Sequence, residues 1–332
     1  MTNVTSETGI NLDELSDTVA VITGAGNNGI GWGLAVYAAS EINMHVVIVD
    51  LHERLVTSAV AKLRELVPNV RVEGIACDVA NPDEMADLPQ RIMKLMPQKR
   101  LGVVFANAGV MFTNKILNSS FEEWKTTLEV NVLGVVNAIQ AFVPELQKSD
   151  GPTVFCATAS VGGLIRGDGG GASYQASKHA VVALMESLSF ELVRDAPGVH
   201  LHVLCPCIVQ SGLGKTSAVN AAVVAGGVSD EDIVPFAAPD PGYAMDPVRH
   251  AAQVFHHITN GRFYVVTENV KPWVDHDEPF GAVELIRERF DNLELRTIDN
   301  RDAHERKPGM ARSAILKGPM FQAMASAKRD KT

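Results

Sequence analysis

The segment Tyr174-Gln175-Ala176-Ser177-Lys178 sets a phenol and an ammonium four residues apart in a stretch of helical periodicity, so both project from one face. An unperturbed tyrosine ionises near pH 10, too high for an efficient base at neutral pH. An adjacent ammonium stabilises the phenolate and brings that value down. Ser160 precedes Tyr174 by fourteen residues, just past an apolar, strand-like run at 153–157. A hydroxyl at such a strand end can hold a substrate oxygen against the tyrosine. Asn131 sits between Val130 and Val132 in an apolar helical stretch, where a buried amide needs hydrogen-bond partners. Its plainest use is a bond between helices. A lone Tyr–Lys pair four apart is most often a surface helix pair; Ser160 at the right distance is what points to proton transfer.

A second group of residues points to a nucleotide. The turn Thr23-Gly24-Ala25-Gly26-Asn27-Asn28-Gly29-Ile30-Gly31 lies between a strand-like run and an apolar helical one. Glycines let the backbone approach a pyrophosphate, and the helix N-terminus adds unpaired N–H groups and a positive dipole end. Gly24, Asn28, Gly29 and Ile30 are the candidate phosphate contacts. Asp50 ends the next apolar run, nineteen positions after Gly31, where a carboxylate accepts ribose hydroxyls and repels a 2′-phosphate. No Arg or Lys occupies the glycine turn, and Arg54 lies a turn beyond Asp50. NAD is therefore expected in preference to NADP. Asp78 and Val79 close a third run, the carboxylate placed to reach an adenine amine and the valine to pack on the ring. Asn107, Ala108 and Gly109 end a fourth, where small side chains let a cofactor lie close to the backbone.

These turns need a scaffold that brings strand ends together. Strand-like runs at 18–23, 45–50, 71–77, 101–106, 153–157, 200–205 and 262–266 are rich in Val and Ile and lack polar alternation. Helical patterns fill the gaps at 31–42, 53–67, 82–96, 121–146, 173–194 and 247–259. The alternation predicts an α/β, Rossmann-like, doubly wound parallel sheet of about seven strands over residues 18–267. Residues 1–17 are expected to form a flexible N-terminal segment, 211–246 a lid over the substrate, and 268–332 a C-terminal extension.

Composition sets outer limits. With 46% hydrophobic and 20% charged residues in 332, the chain can bury a sizeable core. A net charge of −10 argues against a nucleic-acid partner, which needs clustered Lys and Arg. The N-terminus lacks the apolar core of a signal peptide, and no apolar run reaches the roughly 18 residues of a membrane span. A cytoplasmic protein without membrane contact is expected. Cys77, Cys156, Cys205 and Cys207 fall in apolar, strand-like segments rather than at disulfide spacings, as suits a reducing compartment. No metal is expected: Cys205-Pro206-Cys207 has no second cluster, and His250, His256 and His257 read as a polar helix face.

In order and spacing, TGAG-NNGIG, CDV, NAG, VNV, ATAS, YQASK and CPCIV resemble the short-chain dehydrogenase/reductase family over about residues 18–267. The resemblance implies a tetrad of Asn131, Ser160, Tyr174 and Lys178. It implies that Lys178 binds the nicotinamide ribose beside Tyr174, and that Asn131 anchors a water in a proton relay. It further implies cofactor contacts from Pro206, Ile208 and Ser211. Three departures stand out. The glycine turn has one residue more between Gly24 and Gly29 than T-G-x-x-x-G-x-G; Cys207 replaces the glycine of a Pro-Gly pair; and Ser211 matches a position that is often threonine.

The expected activity is therefore interconversion of a secondary alcohol and a ketone with NAD(P)(H). The apolar residues Val110–Phe112 and the absence of a basic cluster favour a hydrophobic, aromatic or polycyclic small molecule. Two other readings keep the same cradle: a non-catalytic NAD-binding regulator, and an epimerase or lyase using the same Tyr/Lys pair. The resemblance implies a homodimer or homotetramer built on the two long helices.

Overall fold

The computed structural model describes residues 9–165, 171–195, 198–213 and 244–267. Most of the expected lid and all of the extension at 268–332 lie outside the described residues.

Seven strands form one sheet: β1 Val19–Thr23, β2 His45–Asp50, β3 Val72–Ala76, β4 Leu101–Ala106, β5 Thr153–Thr158, β6 Val199–Pro206 and β7 Tyr264–Thr267. All neighbours are parallel, in the order β3-β2-β1-β4-β5-β6-β7. The order reverses between β1 and β4, so a crevice opens at their carboxyl ends. Residues of β1, β4 and β5 are buried throughout, because helices cover both faces.

On one face pack α1 Ile30–Ser40, α2 Glu53–Leu66 and α7 Pro247–Thr259. On the other lie α3 Pro82–Leu95, α5 Gly134–Gln147 and α6 Ala172–Asp195. Phe105 and Phe255 centre the first layer, Phe142 and Phe155 the second, all fully buried. Each contributes about 1.5–3 kcal/mol relative to an exposed ring. Caps fix where helices begin. Asn81 accepts from Asp83 and Glu84 N–H ahead of Pro82, and Asp246 does the same for Val248 and Arg249 ahead of Pro247.

The helical run expected at 121–146 is interrupted. After α4 Phe121–Leu128, opened by a Ser120/Glu123 capping box, a π-helical turn covers Glu129–Leu133 before α5. Asn131 lies fully buried in that turn. Together Phe121–Gln147 is long and apolar enough by length and composition to cross a membrane, although no unbroken apolar run in it reaches that length. Its Val135, Ala138, Phe142, Val143 and Leu146 instead pack in the core against the sheet.

Two expectations need correction. Residues 9–17, expected to belong to a flexible N-terminal segment, pack on the domain: Ile10 and Leu15 are buried, and Arg100 donates to the Glu14 carbonyl. Asp17 pairs with Lys99 and His45. His250, assigned to a polar face, is fully buried in line with Ala251, Val254, Phe255 and Ile258, while His256 is exposed.

Candidate active site

The glycine turn is held by strand-end polar groups. Gly24 has φ +67°, and a Cβ there would lie 2.7 Å from Ala108 Cα, so a side chain is excluded by both conformation and space. Thr23 Oγ1 accepts from the N–H groups of Asn107 and Ala108 at 2.9 and 3.0 Å. The Asn107 amide donates to Thr23 O at 2.9 Å and accepts from Thr158 Oγ1 at 3.2 Å. Asn107 thus ties the ends of β1, β4 and β5, leaving Ala108 and Gly109 as the open wall.

Asp50 is partly buried, and burial pushes its carboxyl above the ordinary range. N–H donors from Gly26 at 2.8 Å and Leu51 at 2.9 Å oppose that rise. Asp78 caps its own turn, accepting from Ala80 N–H at 2.9 Å. Ser211 packs on Gly29, and Gly212 N–H donates to the Asn28 carbonyl at 3.4 Å.

One cleft collects these residues. It is lined by Gly24, Asn28, Gly29 and Ile30 at the turn, by Asp50, Asp78 and Val79, and by Asn107, Ala108 and Gly109. Pro206, Ser211, Tyr174 and Lys178 line it as well, whereas Ser160 and Asn131 do not. Ile208 is not among the lining residues. Its side chain is 40% exposed and its carbonyl accepts from Met245, because the chain beyond β6 pairs with residue 245 through a Val209–Met245 bridge.

Helix α6 carries Tyr174 and Lys178 on one face. Lys178 is buried, with Nζ 2.8 Å from the Thr158 carbonyl and 5.6 Å from the Tyr174 ring centroid. Burial lowers its pKa to about 8. Burial also pushes the Tyr174 phenol upward, against a hydrogen bond with Ser160 that pulls it down. Ser160 leaves β5 and caps the short turn Val161–Gly163, its Oγ accepting from Gly162 N–H at 3.0 Å. Tyr174, Lys178 and Ser160 therefore converge, while Asn131 stands behind them. Its Oδ1 accepts from Val110 N–H at 2.8 Å, and its Nδ2 donates to Val110 O and Ser177 Oγ, each at 2.9 Å.

Sequence reading missed Thr23, Thr158 and Ser177 as parts of this arrangement. Each is a small hydroxyl residue at a strand end or inside a motif already assigned, and only its partners mark it.

A Gly-rich cleft that also holds Tyr174 and Lys178, with Ser160 bonded to the tyrosine, defines a Rossmann-type, nucleotide-dependent oxidoreductase. The family model described as short chain dehydrogenase matches residues 18–221. The meso-2,3-butanediol dehydrogenase of Serratia marcescens is 34% identical over 197 residues, spanning 59% of this chain and 72% of that protein. A short chain dehydrogenase/reductase from Burkholderia phymatum, solved in complex with NAD, superposes with a TM-score of 0.72 at 27% identity, covering 85% of this chain and 96% of that one. An alcohol dehydrogenase from Thermococcus sibiricus, complexed with 5-hydroxy-NADP, shares the fold with a TM-score of 0.61 at 23% identity, covering 75% and 95%. The chain belongs to the short-chain dehydrogenase family and is an NAD(P)-dependent oxidoreductase.

Proposed function

We propose that this enzyme interconverts a secondary alcohol and a ketone on a largely hydrophobic substrate, with NAD as its preferred cofactor. The observation that carries this reading is that Tyr174 and Lys178 line the glycine-turn cleft together, with Ser160 hydrogen-bonded to the Tyr174 phenol. The residues fit a dinucleotide: the α1 N-terminus faces the cleft with Gly29 and Ile30, and Ala108 and Gly109 leave space along its wall. Bound nicotinamide supplies the hydride acceptor or donor.

The chain supplies alignment and proton handling. In the oxidising direction Tyr174, as phenolate, takes the substrate hydroxyl proton; in reduction its phenol returns one to the carbonyl oxygen. Ser160 Oγ orients that oxygen and stabilises charge developing on it. Lys178 favours the phenolate through its ammonium. Asn131 holds the segment at Val110 against α6. Asp50 supports NAD, since its carboxylate repels a 2′-phosphate.

Two observations support an uncharged, apolar substrate. Val110, Ala159 and Leu213 line the same cleft as Tyr174. Lys178 is the one cation among the described lining residues, and it already donates to Thr158. The exposed Leu128, Leu133 and Phe190 on α4, the π turn and α6 support a homodimer or homotetramer. Cys77, Cys156, Cys205 and Cys207 form no disulfide, which suits a reducing cytoplasm.

The test is formation of reduced nicotinamide from a panel of apolar secondary alcohols, by wild type and Tyr174→Phe. Wild-type turnover that is lost in Tyr174→Phe, with cofactor binding retained, is expected. Full turnover by Tyr174→Phe overturns the acid/base assignment. Cofactor binding without any reduction favours a regulator, and substrate interconversion without net reduction favours an epimerase.

A further inference from the structure

Ser177 is fully buried on α6, one residue before Lys178, and faces the π turn rather than the cleft. Its single proton goes to the Tyr174 carbonyl, at 2.6 Å. Its oxygen accepts from Asn131 Nδ2 at 2.9 Å. The Asn131 amide has no freedom to turn over: Val110 N–H is a donor, so Oδ1 must face it, which leaves both Nδ2 protons for Val110 O and Ser177 Oγ. Every polar atom in this chain of contacts has a stated direction. The chain runs from the cleft wall at Val110, through Asn131 and Ser177, to the backbone of Tyr174.

A serine that bonds back to a carbonyl of the preceding turn bends the helix locally. Here the turn tied by that bond is the one that spaces Tyr174 from Lys178. We propose that Ser177 is a positioning residue for the reaction: its hydroxyl fixes the Tyr174–Lys178 turn against the cofactor-lining segment at Val110 by way of Asn131. Removing the hydroxyl leaves an Asn131 proton buried without an acceptor and releases the Tyr174 carbonyl from its second donor. The phenol then loses its fixed distance to the substrate oxygen. The proposal rests on Tyr174 being the acid/base, and the controls below separate the two.

The experiment uses the full chain with an apolar secondary alcohol it turns over, and compares wild type, Ser177→Ala, Ser177→Cys and Tyr174→Phe in kcat at saturating NAD, KM from varied NAD, pH profile and thermal midpoint. For Ser177→Ala, kcat should fall about tenfold, the scale of loss from a small misplacement near the chemistry. The KM for NAD should stay within about twofold, since the phosphate cradle is untouched. The acid limb of the kcat profile should move to higher pH, because a displaced phenol is less well stabilised as phenolate. Ser177→Cys, which keeps a weak donor and acceptor in nearly the same volume, should fall between the two. A lowered thermal midpoint with wild-type kcat and pH profile would mean a purely structural role and would overturn the proposal. So would Ser177→Ala indistinguishable from wild type. If Ser177→Ala does not fold, wild-type kcat in Ser177→Cys overturns it instead. Turnover by Tyr174→Phe sinks the acid/base reading whatever Ser177 does; an inactive Tyr174→Phe beside a wild-type Ser177→Ala sinks the positioning proposal alone.

Discussion

The backbone N–H of Gly26 donates to Oδ2 of Asp50 at 2.8 Å, so the carboxylate expected to read the adenosine ribose also anchors the glycine turn. A Cβ on Gly26 would lie 2.9 Å from Cβ, Cγ and Oδ2 of that side chain. Gly26→Ala must push turn and carboxylate apart. We expect the KM for NAD to rise about tenfold with kcat little changed, the pattern of lost cofactor binding rather than lost chemistry. Asp50→Asn keeps an acceptor for Gly26 but removes the charge, so it should fold normally and lose preference for NAD over NADP. Steady-state KM values for both cofactors check this. Unchanged preference in Asp50→Asn would mean that the charge does not select the cofactor.

The Tyr174–Lys178 pair predicts a pH shift with a defined sign. Burial pushes the phenol up and the ammonium down to about 8, so neither group is comfortable charged. The ammonium, while it lasts, favours the phenolate. Lys178→Met removes that help, so the phenolate forms only at higher pH. The acid limb of kcat for alcohol oxidation should move to the alkaline side, with a fall at neutral pH of about a hundredfold, the lower end of what acid–base catalysis contributes. A depressed rate with an unmoved limb would assign Lys178 to cofactor binding alone.

Assembly is checked on the outward side of the long helices. Leu133 is 50% exposed in the π turn and Phe190 66% exposed on α6, large apolar groups facing outward from a single chain. In a two-fold assembly each substitution enters the interface twice. Leu133→Glu should shift the gel-filtration or light-scattering mass from a dimer or tetramer to a smaller species. A wild-type monomer would rule out this assembly directly.

The sheet was legible because strands buried on both faces leave unbroken Val/Ile runs. The runs at 45–50 and 101–106 match β2 and β4 residue for residue, and the others differ only at their ends. Tyr174, Lys178 and Ser160 were legible because their spacing is set by one strand, one turn and one helix in succession. The π turn at Glu129–Leu133 was not, since one wider turn hardly alters the apolar periodicity around it. Nor was the bond from Asn131 to Ser177, which joins two helices forty-six residues apart in sequence; the sequence showed only that a buried amide needed a partner. Residues 9–17 look polar as a stretch, and burial of Ile10 and Leu15 depends on a surface formed elsewhere in the fold. The Val209–Met245 bridge beside Ile208 was not legible either, because it has no local signal.

His250 and His202 supply the last prediction, on stability. Among the described residues neither ring nitrogen of His250 has a hydrogen-bond partner, and His202 has one, the Arg262 carbonyl at 2.8 Å from Nδ1. Both are buried, and burial lowers each to about 4. Unfolded histidine takes up a proton below about 6.5, while the folded chain resists until about 4, so between those values unfolding binds protons. The contribution of these residues is complete above about pH 6.5 and is lost as pH falls towards 4. Between about pH 7 and 4.5 the wild-type Tm should therefore drop, and His250→Leu, which fits the apolar stripe of α7, should reduce that drop by on the order of 5 °C. Melting curves followed by circular dichroism at several pH values measure both slopes. Equal slopes would show that His250 takes up its proton as readily in the folded chain as in the unfolded one.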